Sequence, residues 1–280
     1  MTNVNTTLRN EKNFSPREKL KKDFQRSSFK LLISTAIVIT IWGIIHNYFP
    51  NLISHENTDL LGIFYSIYGV LYAIIAAFLL VEVLTNYNAL NSYMEEELNE
   101  LQDIRDFVLL FDNNKHSVNK VLQELKDYVE DIRKEEWIAM REGTASTHHD
   151  TTKELYEIFQ EIKKIDIQDS KAEDHIIGLL LGKMASLTSL RTKRISASCK
   201  RLPPRLDILL KFMSFILIAG TFFVPYGSEI ISLGLVLALT ISVHLLHMVI
   251  KDLNDPFDGV WRLDSSLLDD FINNLELKID

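Results

Sequence analysis

The chain has 280 residues, a formal net charge of -8, 47% hydrophobic residues and one cysteine, Cys199. A single cysteine excludes an intrachain disulfide framework and any multi-cysteine metal site within one chain. The acidic balance, with no dominant basic face, argues against nucleic acid as a partner.

Residues 1–13 are polar and irregular and read as a loose tail. Ser15, Pro16 and Glu18 then form a capping box, with serine at the N-cap and proline at the first helical position. Leu20, Phe24 and Leu31 fall near one face of the helix that follows, among several lysines and arginines. That pattern fits an interfacial amphipathic entry to a membrane, and it equally fits a solvated basic lead-in. Residues 1–30 are therefore taken as a basic tail carrying this helix.

Leu31 to Phe49 is uncharged apart from His46 and long enough to span a bilayer, and Pro50 ends it. Its apolar core and lead-in are too long for a cleaved signal peptide. The connection over 51–59 holds no Lys or Arg, and a second span follows over 60–83. No proline or turn cluster interrupts the chain between that span and Phe111. At about 1.5 Å per residue this stretch predicts one helix of roughly 75 Å, against a hydrocarbon core of about 30 Å. It should cross the membrane and continue into a soluble domain.

Apolar residues then recur at helical spacing. Tyr87, Leu90, Met94, Leu98, Leu101, Ile104 and Val108 continue the long helix, which Asp112-Asn113-Asn114 should break. Val118, Leu122, Leu125, Val129 and Ile132 mark a second helix ending near Trp137, and 142–150 reads as a loop. Leu155, Ile158, Phe159, Ile162 and Ile165 mark a third; Ile177, Leu180, Met184, Leu187 and Leu190 mark a fourth. Each apolar stripe needs a partner, so residues 84–206 are expected to form a helical bundle.

Basic residues from Arg191 to Arg205 crowd the approach to a third span, where Pro203-Pro204 interrupts the helix. Residues 208–224 and 230–250 read as a second hairpin, turned by Pro225-Tyr226-Gly227 without Lys or Arg. A tail over 251–280 breaks at Asp255-Pro256 and ends in a short amphipathic helix. The expected fold is thus an all-α membrane protein with four transmembrane helices in two hairpins. The cytoplasmic bundle lies between spans 2 and 3, and span 2 continues into it. Because both short outer connections lack Lys and Arg, the positive-inside rule places both termini and the bundle in the cytoplasm, with the spans in the plasma (inner) membrane.

No glycine-rich phosphate loop, nucleophile elbow or zinc helix is present, so no enzyme is expected, and no cofactor or metal. His148-His149-Asp150 sits in the loop without a spaced third ligand. His244 and His247, with Lys251 one turn on, form a candidate ion path, the alternative being helix–helix hydrogen bonding. On span 2, Gly69, Ala73 and Ala77 make a small-residue ridge suited to close helix packing. Ile74, Phe78 and Glu82 lie roughly opposite; around a shared axis they would form a constriction and a carboxylate ring. The bland reading of these three is lipid contact and headgroup contact.

The runs GVLYAIIAAFLLVEVLTNYNALNSYMEEELNELQDIRDF, ELKDYVEDIRKEEW, KRISASCKRLPPRLDILL and KDLNDPFDGVWRLDSSLLDDF occur in this order. Together they resemble the bestrophin-like domain-of-unknown-function family, over about residues 60–272. The resemblance rests on Tyr72, Ala73, Phe78, Asn86, Tyr87, Asn88, Ala89, Glu96, Glu97 and Leu98. It continues through Arg105, Tyr128, Trp137, Arg194, Ser198, Leu202 and Pro203 to a post-span motif, Asp255, Pro256 and Phe257. More distantly the chain is similar to bestrophins, pentameric anion channels of the same two-plus-two plan with Ile and Phe constrictions on the second span. That likeness implies a homo-oligomer, a pentamer by resemblance, in the lipid bilayer, with inorganic ions passing Ile74 and Phe78. Asp258 intervenes before Gly259 in the post-span motif, and the acidic calcium-binding run of animal bestrophins is missing, so calcium gating is not implied. Glu82 favours cations, so anion selectivity is not implied either. The alternative function is a non-conducting membrane scaffold or sensor whose bundle binds a protein partner.

Overall fold

A computed structural model describes residues 16–48, 58–111, 115–145, 151–165, 171–224, 228–257 and 261–279. Among these residues there is no strand. The helices are α1 (Pro16–Tyr48), α2 (Thr58–Val108), α3 (Lys115–Asp131), a π-helical turn (Ile132–Glu136), α4 (Trp137–Glu142) and α5 (Thr151–Ile162). They continue with α6 (Lys171–Ser198), α7 (Pro204–Thr221), α8 (Glu229–Asn254) and α9 (Ser266–Ile279). Pro50, the Asp112-Asn113-Asn114 break, His148-His149-Asp150, Pro225-Tyr226-Gly227, Asp258 and Gly259 lie outside the described residues. So do Ser15 of the capping box and the side chains of Leu20 and Phe24.

The chain divides into two compact units. One comprises Met1–Leu84 with Leu202–Arg262, the other Thr85–Arg201 with Leu263–Asp280. The boundary falls inside α2, which runs as one helix of 51 residues.

In the first, apolar unit, α8 packs against both α1 and α7. Among the described residues, three helices are long and apolar enough to cross a membrane: Ser28–Tyr48 within α1, Asp59–Val108 within α2, and α8. The expected third span differs. α7 has 18 residues and carries Arg205, Asp207 and Lys211 in its first two turns, so its apolar run is shorter than the other three. It begins at Pro204, which needs no N–H partner at the start of a helix, and Lys211 pairs with Asp207 at 2.5 Å. Hydroxyls within these helices donate to carbonyls of the preceding turn, as Thr35 does to Leu31 at 2.8 Å and Thr40 to Ala36 at 2.9 Å. Such back-bonding satisfies these hydroxyls on an apolar helix.

The second, bundle unit has a core drawn from every one of its longer helices. Leu98, Leu101, Ile104 and Val108 of α2 meet Val121, Leu122, Leu125 and Val129 of α3, with Ile158 of α5 and Leu187 of α6. The C-terminal α9 lies on α3 and adds Leu268, Phe271, Ile272 and Leu275 to that core. The helix expected to end near Trp137 instead continues to Glu142 through the π-helical turn, because no proline or glycine stops it there. Gly143, at φ 72°, ends it in a left-handed conformation that glycine adopts without a Cβ penalty, and Thr144 N–H reaches the Ala139 carbonyl at 2.8 Å.

Candidate functional site

The apolar half of α2 uses its sides differently. Tyr65, Tyr68 and Tyr72 recur at three- and four-residue spacing and so share a face. The Tyr65 hydroxyl donates to the carbonyls of Leu217 and Ile216, the latter at 3.2 Å, and that of Tyr68 reaches the Met213 carbonyl at 3.4 Å. The Tyr72 hydroxyl and Ser214 Oγ are hydrogen-bonded at 3.3 Å. These bonds fix α2 against α7. The face is continued by Ala76, Leu79 and Val83, all buried. Gly220 of α7 has no Cβ where the Tyr65 ring lies, and any Cβ placed there would run into that ring.

Ile74 stands about 200° around the helix from Tyr72, and nothing among the described residues covers it. Ile74 is 63% exposed and Phe78 72% exposed, and Glu82 one turn further is exposed as well. Ile63, Ile67, Val70 and Leu71 extend this open apolar side. The small-residue ridge is open too: Ala73 and Ala77 are exposed, and a Cβ on Gly69 would meet nothing within 4 Å. Among the described residues, packing within the chain therefore runs through Tyr72, Ala76 and Leu79, not through Gly69, Ala73 and Ala77.

The candidate ion path of α8 is not brought to the Ile74 side. His247 donates from Nδ1 to the Val243 carbonyl at 2.9 Å, leaving Nε2 as acceptor 3.5 Å from Ser214 Oγ. Through Ser214 it joins Tyr72, on the packed face of α2. His244 is half-buried and Lys251 exposed. Of the post-span motif, Asp255 ends α8, while Pro256 and Phe257 are buried in the turn after it.

The bundle unit holds a site that the periodicity did not reveal. Arg194, 1% exposed, donates from Nε to Glu97 Oε2 and from Nη2 to Glu136 Oε2, both at 2.5 Å. Arg191 reaches Glu136 Oε1 with Nε at 2.9 Å and Nη2 at 2.6 Å. Tyr128, fully buried, donates to Glu97 Oε1 at 2.5 Å, and Met140 Sδ lies 3.2 Å from Arg194 Nη1. Two guanidinium groups thus meet two carboxylates, and the cluster is neutral. Burial opposes the charge on Arg194, but Glu97 and Glu136 outweigh it and hold its pKa well above the usual arginine value. Burial, then the Glu97 carboxylate, push the Tyr128 hydroxyl well above the usual phenol value. Glu136 sits at the end of the π-helical turn, a feature often found at functional sites. With both carboxylates engaged by arginine, the cluster offers no free acid, base or nucleophile. It is a clamp joining α2, α3, α4 and α6.

The signal for this clamp lay in charged residues at core positions. Glu97 follows Met94 by three residues, and Arg194 follows Leu190 by four, so each continues an apolar stripe. Glu97, Tyr128 and Arg194 also belong to the pattern that carries the family resemblance, and here they touch one another. Among the described residues no group of three or more His, Cys, Asp or Glu could hold a metal ion.

A family model described as Bestrophin-like domain matches residues 32–268. A search of the curated proteins finds no match. Among solved structures, a variant of a bacterial bestrophin homologue from Klebsiella pneumoniae is similar at 15% identity and a TM-score of 0.69, covering 91% of this chain and 99% of its own. A second variant of a Klebsiella pneumoniae homologue gives 14% identity and a TM-score of 0.67, covering 90% and 99%. A structure described only as a membrane protein gives 15% identity and 0.69, covering 91% and 97%. At these identities the likeness is one of fold.

Proposed function

The chain belongs to the bestrophin-like family, and on that footing we propose that it is a homo-oligomeric ion channel of the cell membrane with copies of α2 around a shared axis. The observation that carries this reading is the division of α2 into a tyrosine face held by α7 and an open face bearing Ile74 and Phe78. Around an axis, Ile74 and Phe78 would narrow the passage and Glu82 would ring its inner mouth with carboxylates, which favour cations. Ala73 and Ala77 remain open for a neighbouring copy to approach. For His247, the bonds to Val243 and Ser214 favour a packing role over an ion path.

In this reading α7 is the third of four crossings, its paired Asp207 and Lys211 lying at the cytoplasmic headgroups and its apolar remainder in the bilayer. Both termini and the bundle unit are then cytoplasmic. The number of copies is five by resemblance.

The test is flux through liposomes carrying the purified full-length protein. Phe78→Ala should raise single-channel conductance several-fold, and Glu82→Gln should reduce the preference for cations. A monomer in mild detergent that passes no ions in liposomes would overturn the proposal.

A further inference from the structure

An apolar groove of about 500 Å³ opens within the apolar unit, between α2, α7 and α8. Gly69 forms part of its wall, and a Cβ there would meet nothing within 4 Å. Its volume falls inside the range of about 300–1,000 Å³ typical of ligand pockets. We propose that this groove binds one acyl chain of a membrane lipid. The inference rests on the membrane placement proposed above but not on ion conduction.

The chemistry of the lining selects the occupant. No residue that lines the groove carries a charge at neutral pH, and four of them bear hydroxyls. Each hydroxyl already has a partner. Tyr65 donates to the Leu217 carbonyl, and Tyr72 is bonded to Ser214 at 3.3 Å. Thr221 donates to Ile218 at 2.6 Å and Ser242 to Ala238 at 2.8 Å. With its hydroxyls so engaged, the groove offers little to a polar ligand or to water, since ordered water needs two or more polar partners. An uncharged aliphatic chain matches an uncharged, internally satisfied wall.

The dimensions point the same way. Leu235 and Leu246 mark its extent on α8, a length of about 16 Å at 1.5 Å per residue. The volume divided by that length leaves a mean cross-section of about 30 Å², well below that of a helix about 10–12 Å across. A helix of a second copy would lie over the groove; an extended hydrocarbon chain would fill it.

The experiment uses the full-length protein in nanodiscs containing phosphatidylcholine with a diazirine midway along one acyl chain. After photolysis, adducts are mapped by peptide mass spectrometry. Labelling should concentrate on 65–72 and 235–246, several-fold above the exposed positions Leu32 and Ile37. Gly69→Leu, which fills the groove, should cut the groove adducts at least fivefold and leave those at Leu32 and Ile37 unchanged. If that variant does not fold, Leu239→Trp serves the same purpose. Even labelling over all apolar helices, or groove labelling that neither variant lowers, overturns the lipid site and leaves membrane placement standing. No adduct on any helix overturns the membrane placement and the site with it. A benzophenone side chain in place of Leu239 should capture lipid; capture of a second chain instead assigns the groove to a neighbouring copy and overturns the proposal.

Discussion

The two units keep polar groups out of an apolar interior in opposite ways. In the apolar unit, neutral hydroxyls donate to backbone carbonyls: Tyr65 and Tyr68 across to α7, Thr35 and Thr40 to their own helix. In the bundle unit, full charges are buried and cancel one another, with Arg194 and Arg191 against Glu97 and Glu136. A neutral bond between membrane helices is worth about 0.6 kcal/mol on average. Breaking a buried ion pair by removing one partner costs about 3–5 kcal/mol. The apolar unit should therefore tolerate loss of single polar contacts, and the bundle should not.

The sharpest way to break that contrast is Arg194→Ala. It strands Glu97 without its guanidinium and leaves Glu136 to Arg191 alone, and should destabilise the bundle by about 3–5 kcal/mol in chemical denaturation followed by circular dichroism. Adding Glu97→Gln to Arg194→Met should recover a large part of the loss, because Glu136 keeps Arg191 as its partner and no uncompensated charge then remains.

The apolar unit has a steric weak point to set beside it. Gly220→Ala places a methyl where the Tyr65 ring lies and should cost about 1–3 kcal/mol, the usual range for overpacking. Gly182→Ala, on an open stretch of α6, should instead stabilise by about 0.5–1 kcal/mol, since only the glycine entropy changes. Thermal melts of the two variants should move in opposite directions.

A smaller effect is readable through pH. Burial, then the nearby carboxylates of Glu154, Glu135 and Glu136, push Asp131 up to about 6 from an ordinary value of 3.8. A folded-state pKa raised above the unfolded value gives stability that is fully present below about 3.8 and lost as pH rises through about 6. The Asp131 contribution to bundle stability should therefore grow as pH falls from 7 towards 4, and Asp131→Asn should flatten that part of the profile. Equilibrium denaturation of the two proteins at a series of pH values checks it.

Least of all should be Tyr72→Phe. It removes one bond to Ser214, and the expected loss is about 0.6 kcal/mol in a detergent melt. A loss several times larger would mean that the Tyr72–Ser214–His247 chain acts as a unit and would erase the distinction between the two units.

Much of this architecture could be read from residue spacing. The stripes through Leu98, Leu101 and Ile104, through Leu122 and Leu125, and through Leu180, Met184 and Leu187 are all buried. The continuity of span and stalk in α2 followed from the lack of any proline between Leu60 and Val108 and of any glycine after Gly69. The candidate sites were less legible. Periodicity set Ile74 and Phe78 on one side of α2, but which side α7 would hold depended on tyrosines that looked like ordinary apolar residues. The clamp was harder still, since Glu97 and Arg194 touch across 97 residues of chain. A charge on an apolar stripe announces that a partner must exist without saying which residue it is.

By itself, then, the sequence determined the helices, their apolar faces and the family, because these depend on local spacing and on motifs in order. Only the tertiary structure decided that Tyr65, Tyr68 and Tyr72 grip α7, that Gly69, Ala73 and Ala77 stay open within a chain, and that two arginines and two glutamates close on one another. Those outcomes depend on which faces meet, and a face cannot choose its partner until the whole chain has packed.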